Sequence, residues 1–193
     1  MCGLLGMLAA TGDVDKYVDA LERSLPCMRH RGPDAAGTWH DGDAAFGFNR
    51  LSIIDLEHSH QPLRWGPEDQ PDRYAMTFNG EIYNYVELRE ELKGLGYTFH
   101  TEGDGEPIVV GYHHWGKDVV NHLRGMFGIV IWDTHTKTMF AARDQFGIKP
   151  LYYATTDAGT VFASEMKCIL EMADEIGLEL NLCLLYTSPS PRD

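Results

Sequence analysis

Basic residues are scarce in this sequence: 16 Lys and Arg stand against 29 Asp and Glu, a formal net charge of -13 over 193 residues. A surface of that sign repels a phosphate backbone and an anionic bilayer, so neither nucleic acid nor membrane is an expected partner. Cysteine is sparse as well. The four cysteines, Cys2, Cys27, Cys168 and Cys183, form no Cys-x-x-Cys pair, and no His sits at metal-ligand spacing from them. Neither a disulfide framework nor a zinc site is expected, and no metal is assigned. No apolar run is long enough to span a bilayer. Leu4, Leu5, Met7 and Leu8 are apolar near the start, but no basic segment precedes them and Gly12-Asp13 soon follows. A secretory leader is therefore not expected, and a cytoplasmic location is.

What is present fits one soluble domain. Apolar residues make up 44% and charged residues 23%, ordinary values for a globular chain long enough for one proper core. The pattern predicts a buried strand over residues 2–9 and a helix over 14–28, with Val14, Tyr17, Val18, Leu21, Leu25 and Met28 on one side. Arg31-Gly32-Pro33-Asp34 stops that helix. Strands are expected near 35–40, 44–48, 74–78 and 97–100, and residues 58–73 read as a loop. Asn79-Gly80 is a turn signal. A helix is expected from Asn84, where Asn84 and Glu87 have capping-box spacing, and another over 105–115. From Gly125 onward the pattern is of hairpins: 126–132 with 138–143, then 151–155 with 160–163, followed by a short helix over 165–172. Short strands with a few helices between them indicate an α+β fold with antiparallel sheets rather than a parallel order.

Cys2 follows Met1 directly, and a methionine before a small residue is commonly removed. Its loss would leave one residue carrying both a thiol, with a reference pKa of about 8.5, and an α-amine of about 7.7–8.0. The amine can then take the thiol proton near neutral pH, a nucleophile and its base in a single residue. Read alone, Cys2 is equally a small apolar residue opening a strand. Its company is more specific: Met28-Arg29-His30-Arg31-Gly32-Pro33-Asp34, Arg50-Leu51-Ser52-Ile53-Ile54-Asp55 and Phe78-Asn79-Gly80-Glu81-Ile82-Tyr83-Asn84. Further along stand Gly125-Met126-Phe127, Arg143-Asp144, Gly147-Ile148-Lys149-Pro150-Leu151-Tyr152 and Ala163-Ser164-Glu165-Met166-Lys167. With these blocks in order over roughly residues 1–180, the chain resembles the class II, N-terminal-nucleophile glutamine amidotransferase domain. The spelling of the Arg31-Gly32-Pro33-Asp34 and Asn79-Gly80-Glu81-Ile82-Tyr83-Asn84 blocks is similar to that of glutamine-dependent asparagine synthetases.

The resemblance implies a four-layer αββα sandwich with two antiparallel sheets, and glutamine as substrate. It makes Cys2 the nucleophile on the side-chain amide carbonyl. The Asn79 amide and the Gly80 N–H become donors to the tetrahedral oxyanion, where removing one donor typically lowers the rate about 10²–10³-fold. Arg50 would clamp the α-carboxylate in two parallel hydrogen bonds. Leu51, Ser52, Ile53 and Ile54 would add backbone groups and an apolar wall, and Asp104 would receive the α-ammonium, with Glu81 lining the same pocket. Without the resemblance these residues read as an Asn-Gly turn, a surface Arg, a helix N-cap at Asp104 and a first-turn acid at Glu81. Many relatives place Ser before this Asp, whereas here Gly103 precedes Asp104, which implies a looser loop. The blocks at 29–34 and 143–152 carry no acid–base pair, and bracing is their expected role. Of the histidines, only His30 lies inside a block.

A complete asparagine synthetase also carries an ATP- and aspartate-using domain with a Ser-Gly-Gly phosphate loop. That stretch does not occur here. ATP and magnesium are thus expected only with such a synthetase domain, and no cofactor is expected for this chain. Residues 1–180 are read as the amidotransferase domain. Residues 181–193, ending Thr187-Ser188-Pro189-Ser190-Pro191-Arg192-Asp193, are read as an unstructured or artefactual tail after truncation. The expected activity is release of ammonia from glutamine, with the synthetase domain as partner in the parent protein and a homodimer as a further possibility. A stand-alone amidotransferase feeding another acceptor, or a silent partner-binding fragment, are the competing readings.

Overall fold

The computed structural model describes residues 2–51 and 60–179. Strand β1 (Gly3–Ala9) is the centre of one sheet. Helix α1 (Asp15–Ser24) follows and passes into a 3-10 turn at Leu25–Met28. The helix expected to residue 28 stops early because Pro26 stands near the start of that turn and lacks the N–H that α-geometry needs. Next come β2 (Ala35–His40), β3 (Ala44–Arg50), β4 (Leu63–Trp65) and β5 (Tyr74–Ile82). Helices α2 (Tyr85–Gly94) and α3 (Glu106–Trp115) precede β6 (Gly125–Asp133) and β7 (Thr138–Arg143). The described chain closes with β8 (Tyr152–Thr156), β9 (Gly159–Ala163), α4 (Met166–Glu171) and α5 (Ala173–Ile176).

The strands form two sheets, in the orders β2-β3-β1-β9-β8 and β4-β5-β6-β7. Every pairing is antiparallel. Side-chain alternation sorts the residues into three apolar layers. Leu5 and Met7 of β1 pack with Leu21 and Met28 of the first helical layer. Leu4, Phe46, Phe48, Ala75, Val130 and Trp132 meet between the two sheets. Phe78, Ile129 and Ile131 pack against Leu88, Leu92 and Ile108 of α2 and α3. The order is therefore helix, sheet, sheet, helix, the αββα sandwich that was expected. Gly3 allows the close approach of the first helical layer, since a Cβ there would lie 2.7 Å from the Met28 sulfur.

Four local readings differ. Asn79-Gly80 is not a turn but part of a nine-residue strand, paired with β6 from Tyr74↔Asp133 to Ile82↔Gly125. Residues 97–100 form no strand, and the region expected to be a loop contains β4. Asn84 stands at the N-cap of α2 without capping it through its side chain. Instead it bridges to the segment before β6, accepting from the Arg124 N–H at 2.8 Å and donating to His122 O at 2.9 Å.

An ion pair closes the β6–β7 hairpin at the end away from Cys2. Arg73 donates to both carboxylate oxygens of Asp133, at 3.1 and 2.7 Å, and the His135 N–H adds a bond of 2.9 Å. Burial works to raise the Asp133 carboxyl, but Arg73 and the N–H groups of Thr136 and His135 outweigh it and hold it at about 2. The folded pKa lies below the unfolded value of 3.8. The contribution, about 2 kcal/mol, is therefore complete above about pH 4 and is lost as pH falls toward 2. Urea unfolding across this range should show that acid limb. Asp133→Asn should flatten it and lower stability at neutral pH, where Arg73 loses its partner.

Candidate active site

The site forms where the ends of β1, β3 and β5 meet. Alternation along β1 puts Cys2 on the same face as Leu4, toward the opposite sheet, and Cys2 packs against that inter-sheet layer. In β3 the same rule puts Arg50 on the face of Phe46 and Phe48. The β1–β3 register begins at Gly3↔Asn49, so Cys2 and Arg50 stand side by side. Ser164 fixes the start of β1: its N–H donates to Leu4 O at 2.9 Å, and its hydroxyl accepts from the Leu4 N–H at 3.1 Å. Leu51 completes the surroundings of the thiol, with its N–H 3.4 Å and its carbonyl oxygen 3.5 Å from Cys2 Sγ.

β5 comes from the other sheet. Met76 and Phe78 face α2 and α3, so Thr77 and Asn79 face β1 across the inter-sheet layer. Asn79 is fully buried, and neither Nδ2 nor Oδ1 has a hydrogen-bond partner among the described residues. Its cross-strand neighbour is Gly128, which places no side chain over the amide. At Gly80 a Cβ would lie 2.2 Å from Met126 O, so only glycine lets the two strands approach there. Glu81 follows on the Asn79 face.

Asp104 closes the group from the loop before α3. Read as an N-cap, it instead accepts the Ile82 N–H through Oδ2 at 2.9 Å, which ties its loop to the end of β5. Burial raises its carboxyl above the ordinary value, and the nearby Glu81 charge adds to this against the Ile82 hydrogen bond. Burial likewise pushes the Cys2 thiol up, the Leu51 backbone and Arg50 pull it down, and Asp104 pushes it up again. One thiol thus feels both a cation and a carboxylate. That arrangement suits a zwitterion with an acyl carbon between its charged end and the sulfur.

Cys2, Arg50, Leu51, Asn79, Gly80, Glu81 and Asp104 are brought to one end of the sandwich. Ser52, Ile53 and Ile54 lie outside the described residues. The two blocks expected to brace the site do form internal frameworks. Arg31 donates to Glu165 at 2.5 Å, with His30 3.3 Å from the same oxygen. Asp144 accepts N–H groups of Phe127, Phe146, Ile148 and Lys149 at 2.9–3.2 Å. Sequence reasoning missed Gln61, whose side chain takes the Phe78 N–H at 2.7 Å and donates to Phe78 O at 3.2 Å, one residue before Asn79. A polar residue in a Pro-rich loop carries no signal for that role. Among the described residues no group of three or more His, Cys, Asp or Glu is placed to hold a metal ion. No helix there is long and apolar enough to cross a membrane.

A family model described as a glutamine amidotransferase domain matches residues 1–188. The chain belongs to that family. A Mycobacterium tuberculosis protein named as a glutamine-hydrolysing asparagine synthetase is 54% identical over 94% of this chain and 30% of its own length. Asparagine synthetase (glutamine-hydrolysing) 1 of Bacillus subtilis is 42% identical over 97% of this chain and 29% of its own length. The chain thus spans about three tenths of these relatives. The glutamine phosphoribosylpyrophosphate amidotransferase of B. subtilis superposes over 91% of this chain and 44% of its own, with a TM-score of 0.66 and 21% identity. At that identity the likeness is one of fold, and it is the fold built above from the strand order.

Proposed function

We propose that this amidotransferase domain hydrolyses glutamine to glutamate and ammonia, as the ammonia-releasing part of a longer asparagine-forming synthetase. The observation that carries the reading is the Asn79 amide, buried and without a hydrogen-bond partner among the described residues, facing the layer that holds the Cys2 thiol, on which the charges of Arg50 and Asp104 both act. In this reading Arg50 receives the α-carboxylate of glutamine, and Asp104 with Glu81 receives the α-ammonium. The Cys2 sulfur attacks the side-chain amide carbon. Asn79 Nδ2 and the Gly80 N–H donate to the oxygen as it becomes negative. The C–N bond breaks, ammonia leaves with the proton taken from the thiol, and a thioester remains on Cys2. Water then cleaves the thioester to glutamate and restores the thiol. Burial disfavours the thiolate, so the sulfur needs a base beside it, and the α-amine freed by removal of Met1 supplies one.

The remainder of the longer protein has a face to cover. Phe146 is 80% exposed and Tyr153 71% exposed, and Ile148 and Tyr152 of the same segment are exposed as well. In this reading these large apolar groups are part of the surface on which the remainder packs. Ammonia released at Cys2 would pass to the aspartate-activating site of that remainder.

The test uses the purified chain. Its intact mass should be one methionine lower than that of the encoded sequence, and glutamate should appear when glutamine is added. A glutamine-like chloroketone should leave one adduct, on Cys2, and glutamine should protect against it. A processed chain with neither turnover nor adduct would overturn the reading.

A further inference from the structure

The carboxylate assigned to the substrate ammonium sits on a segment with no ladder of its own. Residues 98–105 form neither helix nor strand, so their backbone groups need partners from elsewhere. Two buried charged side chains supply them. Arg89, on α2 and 5% exposed, donates through Nη1 to Thr101 O and through Nη2 to Gly103 O at 2.8 Å. Its guanidinium also lies 4.9 Å from the centre of the Phe99 ring. Glu106, in the first turn of α3 and 1% exposed, accepts the His100 N–H at 2.8 Å. Its other oxygen accepts the Thr101 N–H at 2.7 Å and the Thr101 hydroxyl at 2.8 Å. Burying an Arg and a Glu is expensive unless each is fully hydrogen-bonded. Here neither charge is matched chiefly to the other: both go to groups of one short loop, mainly its backbone, and Arg89 also has the exposed Glu102 carboxylate 3.7 Å from Nη1. Asp104 follows Gly103 directly, and its own carboxylate is fixed to the Ile82 N–H.

We infer that Arg89 and Glu106 are positioning residues which hold Asp104 in register with Cys2 and so set the preference for substrates bearing an α-ammonium. The inference rests on the proposed reading of Asp104. Its physical content is that the Gly103-Asp104-Gly105 stretch, which by composition should be loose, is held at Gly103 O by Arg89 and just upstream, at His100 and Thr101, by Glu106, all through charge-assisted bonds. Releasing either clamp lets the carboxylate drift, and a displacement of about 1 Å at a recognition group is enough to lower rates up to about 10²-fold. The thiol and the oxyanion donors stand on β1 and β5 and are not held by this loop, so the intrinsic chemistry should survive.

The experiment compares glutamine with glutaramate, the same amide lacking the α-amino group, in wild type, Arg89→Met, Glu106→Gln and Asp104→Asn. Wild type should prefer glutamine strongly, and Asp104→Asn should abolish most of that preference. Arg89→Met and Glu106→Gln should each reduce the kcat/KM ratio of the two substrates by about tenfold, through KM for glutamine. In Arg89→Met and Glu106→Gln the rate of Cys2 alkylation by iodoacetamide should not fall below that of wild type. Arg89→Lys, which keeps the charge but not the fork that reaches two carbonyls, should resemble Arg89→Met rather than wild type. Should Arg89→Met fail to fold, the near-isosteric Glu106→Gln carries the same comparison. Equal loss on both substrates, or an unchanged ratio in folded variants, overturns the inference and leaves the two residues as supports of the loop alone. A wild type that does not discriminate the two substrates, or an Asp104→Asn that keeps the preference, overturns the reading of Asp104 itself and the inference with it.

Discussion

Cys2→Ala should abolish glutamine hydrolysis, with a fall in kcat on the order of 10⁴-fold or more, because no other group can form the acyl intermediate. Stability should hardly change. Among the described residues the hydrogen bonds of the sulfur are two long ones, with the Leu51 N–H and carbonyl at 3.4 and 3.5 Å, and the residue is only partly buried. Loss of turnover without loss of fold separates a nucleophile from a strand-opening core residue, the two readings of Cys2 that sequence alone left open. The surrounding charges give a second readout. Asp104 raises the thiol pKa and Arg50 lowers it, so their removal should move the pH profile of Cys2 alkylation in opposite directions. Asp104→Asn should shift the midpoint to lower pH and speed alkylation at a fixed neutral pH. Arg50→Met should shift it higher and slow alkylation. Stopped-flow measurement of iodoacetamide incorporation against pH would check both. Shifts of the same sign would mean that the charges do not converge on the sulfur.

How far the sequence discloses this molecule depends on whether a residue's role is local. The two hairpins after Gly125 were legible almost to the residue, because their alternation and turns are local: the expected 138–143 is β7 itself. The Asn79-Gly80 dipeptide misled, since its turn propensity is overridden by the β6 ladder. Gly125 and Gly128 on that partner stand opposite Ile82 and Asn79 and let the strand run on. The expected strand at 97–100 failed for the converse reason, because the Tyr97 N–H turns back to Leu92 O of α2 and the His100 N–H goes to the Glu106 carboxylate rather than to another strand. Within the site, Cys2 and Arg50 were named through blocks that carry the resemblance, and Asp104 through the resemblance itself. Arg89, Glu106 and Gln61 were not. They act through backbone groups remote in the fold, and nothing in their own neighbourhoods marks them as more than a helix-face charge, a first-turn acid and a loop amide.

Asn79→Ala should lower kcat by about 10²–10³-fold, the typical effect of deleting one oxyanion donor, while leaving the protein as stable as before or more stable. The two effects have one cause. A buried amide with no partner loses its hydration on folding and gains nothing back, a penalty of about 1–3 kcal/mol. Both polar atoms of Asn79 are in that position among the described residues. Truncation removes the penalty and leaves a small gap beside Gly128, so the two changes oppose each other in stability while catalysis simply loses its donor. A neighbour on the same strand provides the control. Thr77 is two residues away on the same face, fully buried, and its hydroxyl also lacks a partner among the described residues. Thr77→Val keeps the shape and removes the hydroxyl, so it should raise stability and leave kcat near wild type. Urea midpoints and glutamate release measured on the two variants together make the comparison. If Asn79→Ala unfolds more easily and Thr77→Val does not, the amide is bonded in the folded protein, and the case for holding it ready for an oxyanion falls. If both variants are at least as stable as wild type and only Asn79→Ala is slow, the buried amide is a functional group kept at the expense of the fold.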